Sequence, residues 1–127
     1  MAVDWIRKYC LSFPHATETV QWGGHLVFKV GGKIFAVAAL EPGGVWLSLK
    51  CGPEAFAELV EREGIVPAPY LARAHWVALE SEEAMRPAEL KERLRDAYEA
   101  VLAKLPKRVR ESLRNPPTSS VPSRRRR

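Results

Sequence analysis

Cysteine is scarce in this chain, with only Cys10 and Cys51 among 127 residues. One bridge is the most they could form, and a disulfide framework needs four, so a reducing compartment is expected. No apolar run approaches the roughly 18 residues that span a bilayer. The opening residues, MAVDWIRKYC, are charged and amphipathic and contain no apolar signal-peptide core. The expectation is a cytoplasmic monomer without a membrane span. Histidine is also sparse. His15, His25 and His75 stand far apart, no pair has ligand spacing, and the cysteines form no CxxC, so no metal site is expected. G-x-S-x-G, the P-loop and the dinucleotide fingerprint are all missing, which removes the sequence grounds for an enzyme or a cofactor. The sequence leaves one spatial pairing open, that of Cys51 with His75. The densest carboxylate cluster, Glu80, Glu82 and Glu83, reads as a solvated edge ahead of a helix N-terminus, where negative charge is favourable.

What is present is an ordinary globular composition, 46% hydrophobic, with a net charge of +5. The charge is unevenly placed. Residues 1–105 hold 12 basic and 14 acidic side chains, a net of −2, whereas residues 106–127 hold 8 basic and one acidic, a net of +7. The basic excess therefore belongs to the C-terminal segment. These observations predict an α+β domain over residues 1–105 and a basic, largely disordered tail over 106–127.

Val3, Ile6, Tyr9 and Cys10 recur at helical spacing and predict a first helix that stops before Pro14. Residues 15–24 read as a loop. Two apolar runs, His25–Val30 and Lys33–Leu40, flank Gly31-Gly32, a strong hairpin signal. Glu41-Pro42-Gly43-Gly44 turns the chain into a third strand, Val45–Lys50, completing an antiparallel meander. Pro53–Glu63 reads as a helix and residues 65–73, with Pro67 and Pro69, as mostly loop. His75–Leu79 is a fourth strand. Pro87 opens the longest helix, whose Leu90, Leu94, Tyr98, Val101 and Leu105 form one apolar stripe. Lys107–Arg114 can form a short basic helix, followed by a linker and the run Arg124–Arg127. The element order is α-β-β-β-α-β-α, an antiparallel sheet backed by helices.

Strand alternation divides the sheet. Leu26, Phe28 and Val30, then Val45, Leu47 and Leu49, then Val77 and Leu79 fall on a core face. The opposite face presents Lys29, Trp46, Ser48, Lys50 and Trp76, with Lys33 beside the glycine turn. Ammonium groups neutralise phosphates and aromatic faces stack on bases, so these residues are candidates for contact with a polyanion. Arg73, just ahead of the fourth strand, and His75, its first residue, join them. In the tail, Lys107, Arg108, Arg110, Arg114, Arg124, Arg125, Arg126 and Arg127 supply charge without sequence specificity. The plainer reading is that the lysines edge a solvated face and the tryptophans pack against loops.

Several short words in this order resemble the MmcQ/YjbR family of small bacterial proteins. They are Trp22-Gly23, Phe28-Lys29-Val30, Gly32-Lys33-Ile34-Phe35-Ala36, Leu49-Lys50, Pro67-Ala68-Pro69-Tyr70, His75-Trp76-Val77 and Ala97-Tyr98. Together they cover about residues 1–105. The resemblance implies a CyaY/frataxin-like fold and a "double wing" mode of DNA binding. Where the family commonly has serine before the last helix's tyrosine, this chain has Ala97. The functional expectation is a non-enzymatic protein that binds DNA or another polyanion through its strand face and hairpin turn, aided by the tail. The alternatives are an adaptor using the tryptophan-bearing face on a protein partner, and a small-molecule site beside residues 67–73.

Overall fold

Gly31 and Gly32 sit at φ +59° and +81° in a two-residue turn, the positive-φ pair that a tight hairpin requires. The computed structural model describes residues 2–21, 23–40, 45–68 and 74–114, except for the side chains of Ala2 and Arg114. The turn joins β2 (His25–Val30) to β3 (Lys33–Ala39), and β3 continues antiparallel into β4 (Leu47–Lys50). The predicted meander is present. Helices α1 (Ala2–Leu11), α2 (Pro53–Leu59), α3 (Pro87–Lys104) and α4 (Lys107–Arg114) are all present, and a 3-10 turn spans Glu82–Ala84.

The sheet has six strands, not four. β1 (Ala16–Gln21) pairs with β2, β5 (Ile65–Pro67) pairs with β6 (Trp76–Leu79), and the order β1-β2-β3-β4-β6-β5 is antiparallel throughout. Both additional strands are edges. β1 buries little, with Val20 65% exposed, so it lacks the apolar alternation that marks a strand. β5 ends in Pro67, which a central strand would not tolerate but an edge strand can.

One face of the sheet carries the main core. Leu26, Phe28, Val30, Leu47, Leu49, Val77 and Leu79 meet Ile6 and Cys10 of α1, Leu59 of α2, and Leu90, Leu94, Ala97 and Val101 of α3. The register between β2 and β3 slips between Phe28 and Lys29. Phe28 pairs with Ala36 and Lys29 with Ile34, so Phe35 is the extra residue of a bulge. Phe35 and Ala36 consequently both lie in the main core. Tyr98 closes one end of the interface, its hydroxyl donating to the Pro14 carbonyl at 2.7 Å. The opposite face has a smaller cluster of Val27, Val37, Ala68, Trp76 and Ala78.

Two placements differ from strict alternation. β4 begins only at Leu47, and before it Trp46 packs on the main core while Val45 packs on the opposite cluster. The backbone, paired as Ala39 N–H to Trp46 O and Trp46 N–H to Leu79 O, has not yet entered the regular pleat there. Residues 41–44, the expected turn, lie outside the described residues.

The hairpin turn does not project freely. A Cβ added at Gly31 would stand 2.5 Å from Leu105 Cδ1 and 3.3 Å from Val109 Cγ1, whereas one at Gly32 would meet nothing within 4 Å. Leu113 of α4 also packs on the main core. The α3–α4 junction therefore rests on the turn. Gly31→Ala is expected to destabilise by about 2–4 kcal/mol, combining left-handed strain with overpacking. Gly32→Ala carries only the strain, about 1–2 kcal/mol. Urea unfolding of both variants separates the two contributions, and equal losses would mean that the turn is not packed.

Candidate nucleic-acid interface

The docking of the turn against the α3–α4 junction brings distant lysines together. Lys33 starts β3 just after the turn, Lys50 ends β4, and Lys104 ends α3. The three line one hollow of about 250 Å³, with Ile34, Trp76, Val101 and Leu105 as its apolar walls. No carboxylate is among the described residues lining it, and none of the three lysines is in an ion pair among the described residues. The register explains part of the convergence, because Lys50 pairs with Trp76. Lys50 Nζ donates to the Ala74 carbonyl at 3.4 Å. Burial, and then the nearby Lys104 ammonium, hold Lys50 below the ordinary lysine range. The hollow thus concentrates positive charge that no carboxylate among the described residues pairs with.

The other candidates divide around it. Lys29 is half-buried, paired with Thr17 and Ile34 near the same end of the sheet. Ser48 lies mid-strand between Val37 and Ala78. Trp76 lines the hollow but is only 5% exposed, so it is a wall and not a stacking platform. Trp46 is removed from the outer face altogether, and its indole Nε1 is buried without a hydrogen-bond partner among the described residues. His75, at φ +62°, turns its ring edge-on to Phe56 at 5.5 Å.

The open question of Cys51 and His75 has a definite geometry. The Cys51 thiol donates to the His75 backbone carbonyl at 3.2 Å, while burial pushes its pKa up. Burial alone raises Cys10 to about 12.

In α4, Lys107 and Arg108 are exposed. Arg110 faces elsewhere and lines a separate hollow of about 340 Å³ with His15, Tyr98 and Leu113, its Nε buried without a partner among the described residues. Arg73 and Arg124–Arg127 lie outside the described residues, as does the side chain of Arg114. Much of the region proposed for a small-molecule site, residues 69–73, is also outside them.

Lys104 escaped the sequence reading. In the last turn of α3, a basic residue is the ordinary complement to the helix dipole and carries no further signal. Only the path of α3 across the sheet sets it beside Lys50. Acidic side chains gather at the opposite end of β6, where Glu63, Glu80 and Glu83 line another hollow. Among the described residues no cluster of His, Cys, Asp or Glu could hold a metal ion, and no helix is long and apolar enough to cross a membrane.

An antiparallel sheet with helices on one face and a lysine-lined hollow at one end defines a small α+β domain. The chain belongs to the YjbR family, whose family model matches residues 11–100. Its fold is similar to that of a Deinococcus radiodurans protein with a DUF419 domain, 33% identical, with a TM-score of 0.79 over 90% of this chain and 88% of that one. A Pseudomonas syringae protein shares the fold at 19% identity and a TM-score of 0.65, covering 79% of this chain and 98% of the other. None of the curated proteins matches.

Proposed function

We propose that this protein is a non-catalytic nucleic-acid-binding module. The observation that carries the reading is the convergence of Lys33, Lys50 and Lys104 on one hollow without a lining carboxylate among the described residues. Three uncompensated ammonium groups favour a polyanion, and phosphate contacts supply most of sequence-independent nucleic-acid affinity. The exposed Lys107 and Arg108 extend the charge from the α3–α4 junction. Buried Trp76 and inward-packed Trp46 leave no aromatic platform from these two residues, so binding is backbone-directed and tolerant of sequence.

The arginine run Arg124–Arg127 adds electrostatic affinity. Because α4 packs on the core through Leu113, the informative truncation ends at Arg114. Binding to a DNA duplex, followed by fluorescence anisotropy over a salt series, tests both parts. Removing residues 115–127 is expected to lower the log K against log salt slope by about 3 to 4, the share of four arginines. An unchanged slope would make the tail irrelevant. No binding by the full chain at low salt would defeat the nucleic-acid reading.

A further inference from the structure

We propose that the lysine hollow receives the terminal phosphate monoester of a nucleic-acid strand, in preference to an internal phosphodiester. This rests on the nucleic-acid reading above and narrows it to one part of the ligand. The first argument is charge. An internal diester brings one negative charge, whereas a terminal monoester carries about −1.5 to −2 at neutral pH. Three ammonium groups around about 250 Å³ match the monoester better. The walls are the second argument. Ile34, Trp76, Val101 and Leu105 form apolar walls beside half-buried Lys50, while Lys33 and Lys104 stand exposed at the rim, so the strengthening of charge–charge attraction over its value in water is confined to Lys50.

Trp76 supplies the third. With the indole only 5% exposed, it offers no face on which a base can stack, so what enters the hollow is phosphate and not nucleobase. Burial, and then Lys104, lower the Lys50 pKa from its ordinary value, and an incoming dianion beside it favours the charged ammonium and offsets the repulsion from Lys104. A phosphate monoester could also come from a free nucleotide. Exposed Lys107 and Arg108, which follow Leu105 of the hollow closely in the chain, and the further charge in the tail favour the end of a strand.

The test uses the full chain and matched short DNA strands ending in 5′-phosphate, 3′-phosphate or hydroxyl, with inorganic phosphate and AMP as separate probes. The added charge of a terminal phosphate also attracts the arginine run, so the lysine variants, and not the ratio alone, assign the preference to the hollow. A phosphate-ended strand is expected to bind about tenfold more tightly, in line with one additional set of charge-assisted hydrogen bonds. Lys50→Gln with Lys104→Gln should bring the ratio to one. Lys33→Gln, at the exposed first residue of β3, should reduce it. Equal binding of phosphate and hydroxyl ends overturns the proposal while leaving the nucleic-acid reading intact. Binding of AMP or phosphate at the lysines without a preference among strand ends assigns the hollow to a free monoester and also overturns it. Absence of binding by any strand at low salt overturns both readings.

Discussion

Replacing Phe35 with alanine is expected to destabilise the protein by about 3–5 kcal/mol, the range for deleting a large buried aromatic. Phe35 is fully buried. Its ring lies 5.6 Å from Tyr98 in an edge-on arrangement, 6.0 Å from Phe13 and 6.3 Å from Phe28. Such aromatic pairs contribute beyond the area they bury. The ring also joins three elements, because Phe28 is on β2, Tyr98 on α3 and Phe13 follows α1. The surrounding framework cannot collapse into the vacated space without moving the bulge that places Phe35 there. Against a typical stability of about 5–15 kcal/mol, the loss is a large fraction of the whole. Urea unfolding should show a lower midpoint with an unchanged m-value. A loss below about 1 kcal/mol would mean that the aromatic cluster is not formed as described.

Phe35 also marks the limit of what could be read in advance. Its membership of the core beside Ala36 breaks the two-residue period, and nothing in GKIFAVAAL signals the extra residue. A bulge is a property of two strands in register, and register is not visible in one run of residues. The meander itself was legible because Gly31-Gly32 interrupts two apolar runs. α3 was legible because Leu90, Leu94, Tyr98 and Val101 repeat at helical spacing. β1 was not, since Ala16–Gln21 is an edge strand rich in polar residues, with Val20 exposed to solvent. β5 was hidden by Pro67, which is compatible with a strand only because β5 has a neighbour on one side.

The candidate site followed the same division. Lys33 and Lys50 were recognisable from their positions at strand ends. Lys104 was not, because its proximity to Lys50 depends on how α3 crosses the sheet. Net charge says nothing of where charges sit, for a related reason. Residues 1–105 sum to −2, yet the charges are segregated along β6, with Lys50 opposite Trp76 at one end and Glu80 following Leu79 at the other. Trp76 and Glu80 are four strand steps apart, roughly 13 Å, which exceeds the Debye length of about 8 Å at physiological salt. The acidic end therefore does little to cancel the attraction of the lysine hollow for a phosphate. A mildly acidic domain and a local anion site are compatible on these magnitudes.

Replacing Lys33, Lys50 and Lys104 together with glutamine should weaken binding of phosphate-ended DNA by about 10²-fold at moderate salt, roughly 1 kcal/mol for each charge-assisted hydrogen bond removed. The salt slope distinguishes how the lysines act. Three lysines on three separate phosphates of a duplex would reduce it by about 3, whereas three lysines sharing one dianion would reduce it by about 1 to 2. The smaller change is expected here, because all three line one hollow. Stability should not fall. Burial, and then the adjacent Lys104 ammonium, lower the Lys50 pKa from its ordinary value, so neutral glutamines relieve repulsion at that site. A thermal melt at or above the wild-type midpoint, together with weakened binding, would assign the loss to the interface. Unchanged affinity in a folded triple variant would remove the hollow from the binding surface and leave the exposed cations of α4 and the arginine tail to carry it.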